Sequence, residues 1–238
     1  MPSVLITGAS RGIGRSAAFA FAEAGWDLIL LSRSEASLQS LATELASTGQ
    51  RIVYGAVDLT KPEEIAPGVA TLLSQGLTPS VLINNAGAAW TGGLLEMPLD
   101  RWNWLMQLNL TSVFQMCAAV VPAMRTAGGL VINISSHAAR NAFPNWGDYC
   151  TVKAALASFT RCLAEEERAH GIRACTLTLG GWQPGNPPRH PYRRQWSVGG
   201  CCRWNSCCAR HHLGRQSRDR SLESRCQWRS YQELERGS

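Results

Sequence analysis

The segment that most constrains the fold lies near the start of the chain. Thr7-Gly8-Ala9-Ser10-Arg11-Gly12-Ile13-Gly14 follows a short apolar run, Val4-Leu5-Ile6. It opens an alanine-rich stretch over residues 12–24 that stops at Gly25. A buried strand, a tight turn and a helix read from that order. Glycines let the turn close and let backbone approach a pyrophosphate. The helix N-terminus offers unpaired N–H groups and the positive end of its dipole. A glycine-rich turn alone would be weak evidence, but strand before and helix after supply the context that phosphate binding needs. Gly8, Ser10, Arg11, Gly12, Ile13 and Gly14 are therefore the expected phosphate-binding residues.

The same alternation continues to residue 180. Further strands are expected at 27–31, 51–57, 81–83, 130–134 and 172–179. Helices are expected at 34–47, 61–75, 100–126 with Pro122 near its end, and 148–169. Continuous apolar strands alternating with helices predict an α/β fold, a parallel sheet covered on both faces. Right-handed crossovers make it a doubly wound, Rossmann-type sheet. No run of about 18 uncharged apolar residues is expected to span a membrane. The N-terminus has no basic stretch or cleavage site of a signal peptide, so a cytoplasmic protein is expected. Cys117, Cys150, Cys162 and Cys175 lie in apolar segments and read as small core residues in a reducing compartment.

Later segments add chemistry. Asp58 ends the third strand, and Asn84-Asn85-Ala86-Gly87 follows the fourth. Tyr149 and Lys153 stand four apart on a helix and share a face. A neighbouring ammonium favours the phenolate and is expected to lower the tyrosine pKa from near 10. Ser136, just past the fifth strand, can hold a substrate oxygen, and Asn109 lies on the long helix.

In order and separation these segments, with the T-G-x-x-x-G-I-G spacing, resemble the short-chain dehydrogenase/reductase family over residues 3–180. The resemblance implies hydride transfer between a nicotinamide dinucleotide and a small-molecule carbonyl or alcohol. It makes Asp58 the adenine-contacting acid, and Asn85, Ala86 and Gly87 the lining of the cofactor cleft. It gives Tyr149 proton transfer, Lys153 the tuning of Tyr149 and the nicotinamide ribose, Ser136 the carbonyl, and Asn109 a relay to the lysine. It also implies a homodimer through the helices around Asn109 and Tyr149, which carry Val113, Phe114, Leu156 and Phe159.

The second strand ends in Leu31-Ser32-Arg33-Ser34, with no acid until Glu35. An acid there would bind the ribose 2′-hydroxyl of NAD, whereas Arg accommodates a 2′-phosphate. Arg33, with help from Arg11, therefore predicts NADP over NAD. His137 reads as an exposed loop histidine, and Trp90, Trp102, Trp104 and Trp146 as packing residues that can also shape an apolar pocket.

After Gly180 the character changes. Residues 181–238 hold eleven Arg, no Lys and four acidic residues, a net +7, so of the total +6 the first 180 residues carry −1. The tail has four Trp and five Cys but only one Val, three Leu and no Ile, Met or Phe. So few aliphatic residues cannot extend an apolar sheet, and the segment is expected to be a disordered tail. The pocket-closing segment, final helix and final strand of the family are not legible there. Back-translating Gly181-Trp182-Gln183-Pro184 and reading from the third base permits Val-Ala-Thr, the family's continuation, which suggests a tail translated out of frame. Cys201, Cys202, Cys207 and Cys208 with His211 and His212 lack zinc-ligand spacing, and no metal site is expected. The Arg and Trp content has no foldable module around it, so no nucleic-acid partner is expected. The alternative to an enzyme is a nucleotide-binding remnant that lacks turnover.

Overall fold

The computed structural model describes residues 1–179, and the expectations for the tail lie outside the described residues. Six strands form one sheet: β1 (Ser3–Thr7), β2 (Asp27–Ser32), β3 (Ile52–Ala56), β4 (Val81–Asn84), β5 (Gly129–Ser136) and β6 (Ile172–Leu179). The order is β3-β2-β1-β4-β5-β6, and every pairing is parallel. This is the doubly wound arrangement read from the sequence. The strand order reverses between β1 and β4, so the loops after these two strands open onto the crevice where such sheets bind ligands.

Local sequence explains the elements. β1 and β4 are buried along their whole length, which is why each has a three-residue apolar run at its centre or start, Val4-Leu5-Ile6 and Val81-Leu82-Ile83, with polar residues only at strand ends. Helix α1 (Gly12–Glu23) packs on β1 and β2 through Ala17, Ala18 and Ala22, small residues that let the helix lie close. Gly25, at φ +83°, turns the chain into β2. Helix α2 (Glu35–Leu45) starts at Ser34, whose hydroxyl accepts from the Ser37 N–H. Helix α3 (Pro62–Leu73) starts with proline and two acids in its first turn. Most of the core lies under α3, α5 (Ser112–Met124) and α6 (Gly147–Glu166), with Ile65, Val69, Met116, Val120, Val121 and Leu156 against β1, β2, β4 and β5.

The helix expected over 100–126 runs as α4 (Leu99–Met106), a π-helical turn (Gln107–Thr111) and α5. By length and composition these 26 continuous residues would suffice to cross a membrane, but Asp100, Arg101, Asn103, Gln107, Asn109 and Gln115 interrupt them, so they are not an uncharged apolar run. Here the apolar length serves the sheet: Val113, Met116, Cys117, Val120, Val121 and Met124 are all core residues.

Two smaller expectations also change. Only Cys117 is buried, Cys150 is half-buried, and Cys162 and Cys175 are exposed, because Cys162 faces outward from α6 and Cys175 sits on the strand at the described edge of the sheet. Of the four apolar positions expected on a self-association face, Val113 and Leu156 are buried in the core. Phe114 is exposed and Phe159 half-buried.

Candidate active site

The glycine loop and the loop after β4 are built as one unit. Thr7 Oγ1 accepts from the Asn85 and Ala86 N–H groups at 3.0 and 3.1 Å, and the Asn85 amide donates to the Thr7 and Gly8 carbonyls at 3.0 and 3.2 Å. The Asn85 side chain thus holds the loop's own carbonyls, and the Ala9 N–H donates to the Leu31 carbonyl at 3.2 Å. Gly8 and Gly12 have φ of +64° and +55°, a region that side chains disfavour. A Cβ on Gly14 would stand 2.3 Å from the Gly8 carbonyl oxygen, which no side chain could tolerate without moving backbone. Helix α1 begins there with no side-chain cap and no acid in its first turn. Ser10 and Ile13 are half-buried on this loop, and Arg11 is exposed. These features fit a dinucleotide pyrophosphate: bare backbone, a positive helix end and no competing carboxylate.

Arg33 is exposed immediately after β2. Its charge reaches Asp58 across the loop ends. Burial raises the Asp58 carboxyl, but the Thr60 N–H and hydroxyl, at 3.0 and 2.8 Å, and the charges of Arg33 and Lys61 more than offset it. Asp58 therefore stays ionised below the ordinary carboxylate range. Thr60 and Arg33 were not foreseen as its partners.

The four groups expected to carry the chemistry come from α6, β5 and the π turn. Asn109 is 1% exposed; its amide donates to the Ala88 and Leu105 carbonyls at 3.0 and 3.1 Å, and its oxygen accepts from the Ala88 N–H at 3.2 Å. Its capture of the Leu105 carbonyl coincides with the π turn, a distortion that recurs at functional sites. A Cβ on Gly87 would be 2.7 Å from Asn109 Oδ1 and 3.9 Å from Lys153 Nζ, so glycine is needed where that loop crosses the pair.

Lys153 is buried, and its ammonium donates to the Ile134 carbonyl at 2.9 Å. Burial pushes its pKa down to about 8. Lys153 Nζ lies 5.5 Å from the centroid of the Tyr149 ring, and Trp146 meets that ring edge-on at 5.8 Å. Ser136 accepts from the Ala138 N–H at 3.2 Å, which fixes its hydroxyl at the end of β5. The tyrosine does not behave as the sequence predicts. Burial raises the phenol above its ordinary value, the neighbouring Ser136 hydroxyl favours the phenolate, and the Cys150 thiol beside it opposes ionisation. The balance lies upward because desolvation of the phenolate outweighs the Ser136 hydrogen bond. His137 is exposed, as its loop position implies. Among the described residues no group of three His, Cys, Asp or Glu side chains comes together as a metal site.

Comparison with known proteins agrees with this architecture. The short chain dehydrogenase family profile matches residues 2–186. The chain is 31% identical over 180 residues to the 3-oxoacyl-[acyl-carrier-protein] reductase of Chlamydia trachomatis, covering 75% of this chain and 73% of that protein. A metagenomic short-chain oxidoreductase in complex with NADP superposes with a TM-score of 0.71 at 33% identity, over 76% of this chain and 83% of the other. The alcohol dehydrogenase of the archaeon Thermococcus sibiricus, complexed with 5-hydroxy-NADP, superposes with a TM-score of 0.72 at 29% identity, over 79% and 82%. The family match and these relatives make this chain an NAD(P)-dependent oxidoreductase. The chain belongs to the short-chain dehydrogenase/reductase family.

Proposed function

We propose that this protein reduces a small-molecule carbonyl with NADPH, with Tyr149 as the proton donor. One observation carries the reading: a half-buried phenol lies beside the Ser136 hydroxyl and over a buried ammonium, at the mouth of the nucleotide crevice. Gly8, Ser10, Arg11, Gly12, Ile13 and Gly14 would hold the pyrophosphate, Asn85, Ala86 and Gly87 the floor beneath the nicotinamide, and Asp58 the adenine. Arg33 and Arg11 favour a 2′-phosphate over a bare ribose. When bound, the nicotinamide supplies the hydride.

The remaining chemistry belongs to the chain. Ser136 orients the substrate oxygen, and Tyr149 delivers a proton to it as the carbonyl carbon becomes an alcohol carbon. The raised phenol keeps its proton at neutral pH, which suits donation and hence reduction. Lys153, below its pKa of about 8, places a positive charge under the ring and stabilises the phenolate left after transfer. Asn109 fixes the 86–88 loop above this pair. The setting is the cytoplasm, and the helices bearing Phe114 and Phe159 are the self-association face.

A second reading, a nucleotide-binding remnant without turnover, is favoured by the composition of residues 181–238. In this reading residues 1–180 form the nucleotide-binding and catalytic domain, while 181–238 are a tail that cannot close the pocket. One experiment separates the two. The 238-residue chain is assayed for NADPH consumption across a carbonyl panel, beside a chain whose residues after Gly180 come from the alternative frame. Turnover only in the second chain supports the remnant reading. Comparable turnover in both removes the remnant reading. Nucleotide binding with no turnover in either removes the reductase assignment.

A further inference from the structure

A row of buried polar side chains runs beneath the site. Asn84 on β4 donates its amide to Asn133 Oδ1 on β5 at 2.9 Å, and Asn133 donates to Thr160 Oγ1 on α6 at 2.8 Å. Thr160 in turn donates to the Leu156 carbonyl at 2.7 Å. The three side chains are 3%, 0% and 2% exposed. Polar groups at such depth are costly unless bonded, and a connected set rigidifies one arrangement of the elements it joins. These elements are the ones that carry the site: β4 leads into Asn85–Gly87, β5 into Ser136, and α6 bears Tyr149 and Lys153.

Tyr149, Lys153, Leu156 and Thr160 form one stripe of α6, with Lys153 and Thr160 two turns apart, roughly 10 Å along the axis. Their partners on β5 are the adjacent residues Ile134 and Asn133. The lysine bond alone would let the helix pivot on the strand. With the second bond, both the slide and the tilt of α6 on β5 are set.

We propose that Asn133 and Thr160 are positioning residues, whose hydrogen bond fixes α6 against β5 so that Tyr149 and Lys153 meet Ser136. The proposal rests on the reading of those three residues as the proton-transfer group. Thr160→Val keeps the branched shape and removes the acceptor; Thr160→Ser keeps the hydroxyl. In the full chain, the Lys153 ¹³Cε resonance is titrated with pH and NADPH affinity is measured by fluorescence, with turnover read wherever it is present. Thr160→Val should move the Lys153 titration upward from near 8 by about half a pH unit or more, as water reaches a loosened site. It should lower any turnover roughly tenfold while NADPH affinity stays within about twofold. Thr160→Ser should restore both. A folded Thr160→Val whose Lys153 titration is unchanged overturns the proposal, even if it melts at a lower temperature. If the valine variant does not fold, Thr160→Cys, a weak acceptor of similar size, is read the same way. The lysine titration needs no turnover, so a Tyr149→Phe variant that stays active would overturn the site reading while the clamp is judged on its own result.

Discussion

The two ends of the site are made of different material. The nucleotide end, Thr7–Gly14 with the Asn85–Gly87 loop, is backbone: positive-φ glycines, carbonyls held by one amide, and a helix start without a side-chain cap. The chemical end, Asn109, Ser136, Tyr149 and Lys153, is side chain, and burial shifts the pKa of two of its members, Tyr149 upward and Lys153 downward. A backbone cradle fails when a methyl group is added. A buried side-chain group fails when a proton changes place. Each end should therefore be breakable without the other.

The largest effect on nucleotide affinity is expected at the nucleotide end. Gly14→Ala puts a carbon against the Gly8 carbonyl, where only backbone can yield. NADPH affinity, measured by fluorescence titration, should fall by about 10- to 100-fold, while the Lys153 titration stays near 8. An alanine variant that binds NADPH as the parent does would break the comparison. Arg33→Asp is the next step down. It should reverse the preference, so that NADH binds more tightly than NADPH, with a shift in the ratio of roughly tenfold or more. Equal affinities in the parent chain would remove Arg33 from that role.

The smallest effect is on stability and comes from the burial of Lys153. The folded-state pKa of Lys153, about 8, lies below its ordinary 10.5, so between these values the unfolded chain binds more protons and stability rises with pH. Above 9 the trend is opposed, because burial holds the Cys117 thiol protonated to about 12 while the unfolded thiol ionises near 9.0. The window is therefore pH 8 to 9. There the parent chain should gain about 1 kcal/mol, roughly 2–4 °C in melting temperature, and Lys153→Met should lose that gain. A parent curve as flat as the variant's would show that the ammonium is not buried in solution.

The contrast also explains what could be read from sequence. The glycine loop is legible because its job needs particular residue types at fixed spacing between a strand and a helix. The strands are legible because both faces of the sheet are covered. Tyr149, Ser136, Lys153 and Asn109 could be picked out together, but not their ionisation: Tyr149 moves up instead of down because desolvation, a property of depth, outweighs the Ser136 hydrogen bond. The π turn was invisible because it follows from the Asn109 amide bonding to Leu105 and Ala88, which spacing does not reveal. Asn133 left a signal that went unread, a lone amide in the apolar run Leu130-Val131-Ile132-Asn133-Ile134. A polar residue in a strand buried on both faces needs a partner, and the search for one leads to Thr160.

Separability of the two ends is tested most directly by Tyr149→Phe, with NADPH affinity and carbonyl turnover measured on the same preparation of a chain that turns over. Loss of the phenolic hydrogen should cost roughly 100-fold or more in turnover and leave NADPH affinity within about twofold, because the proton serves the transition state and not the bound nucleotide. Turnover retained in the phenylalanine variant, or affinity and turnover falling together, would contradict the account.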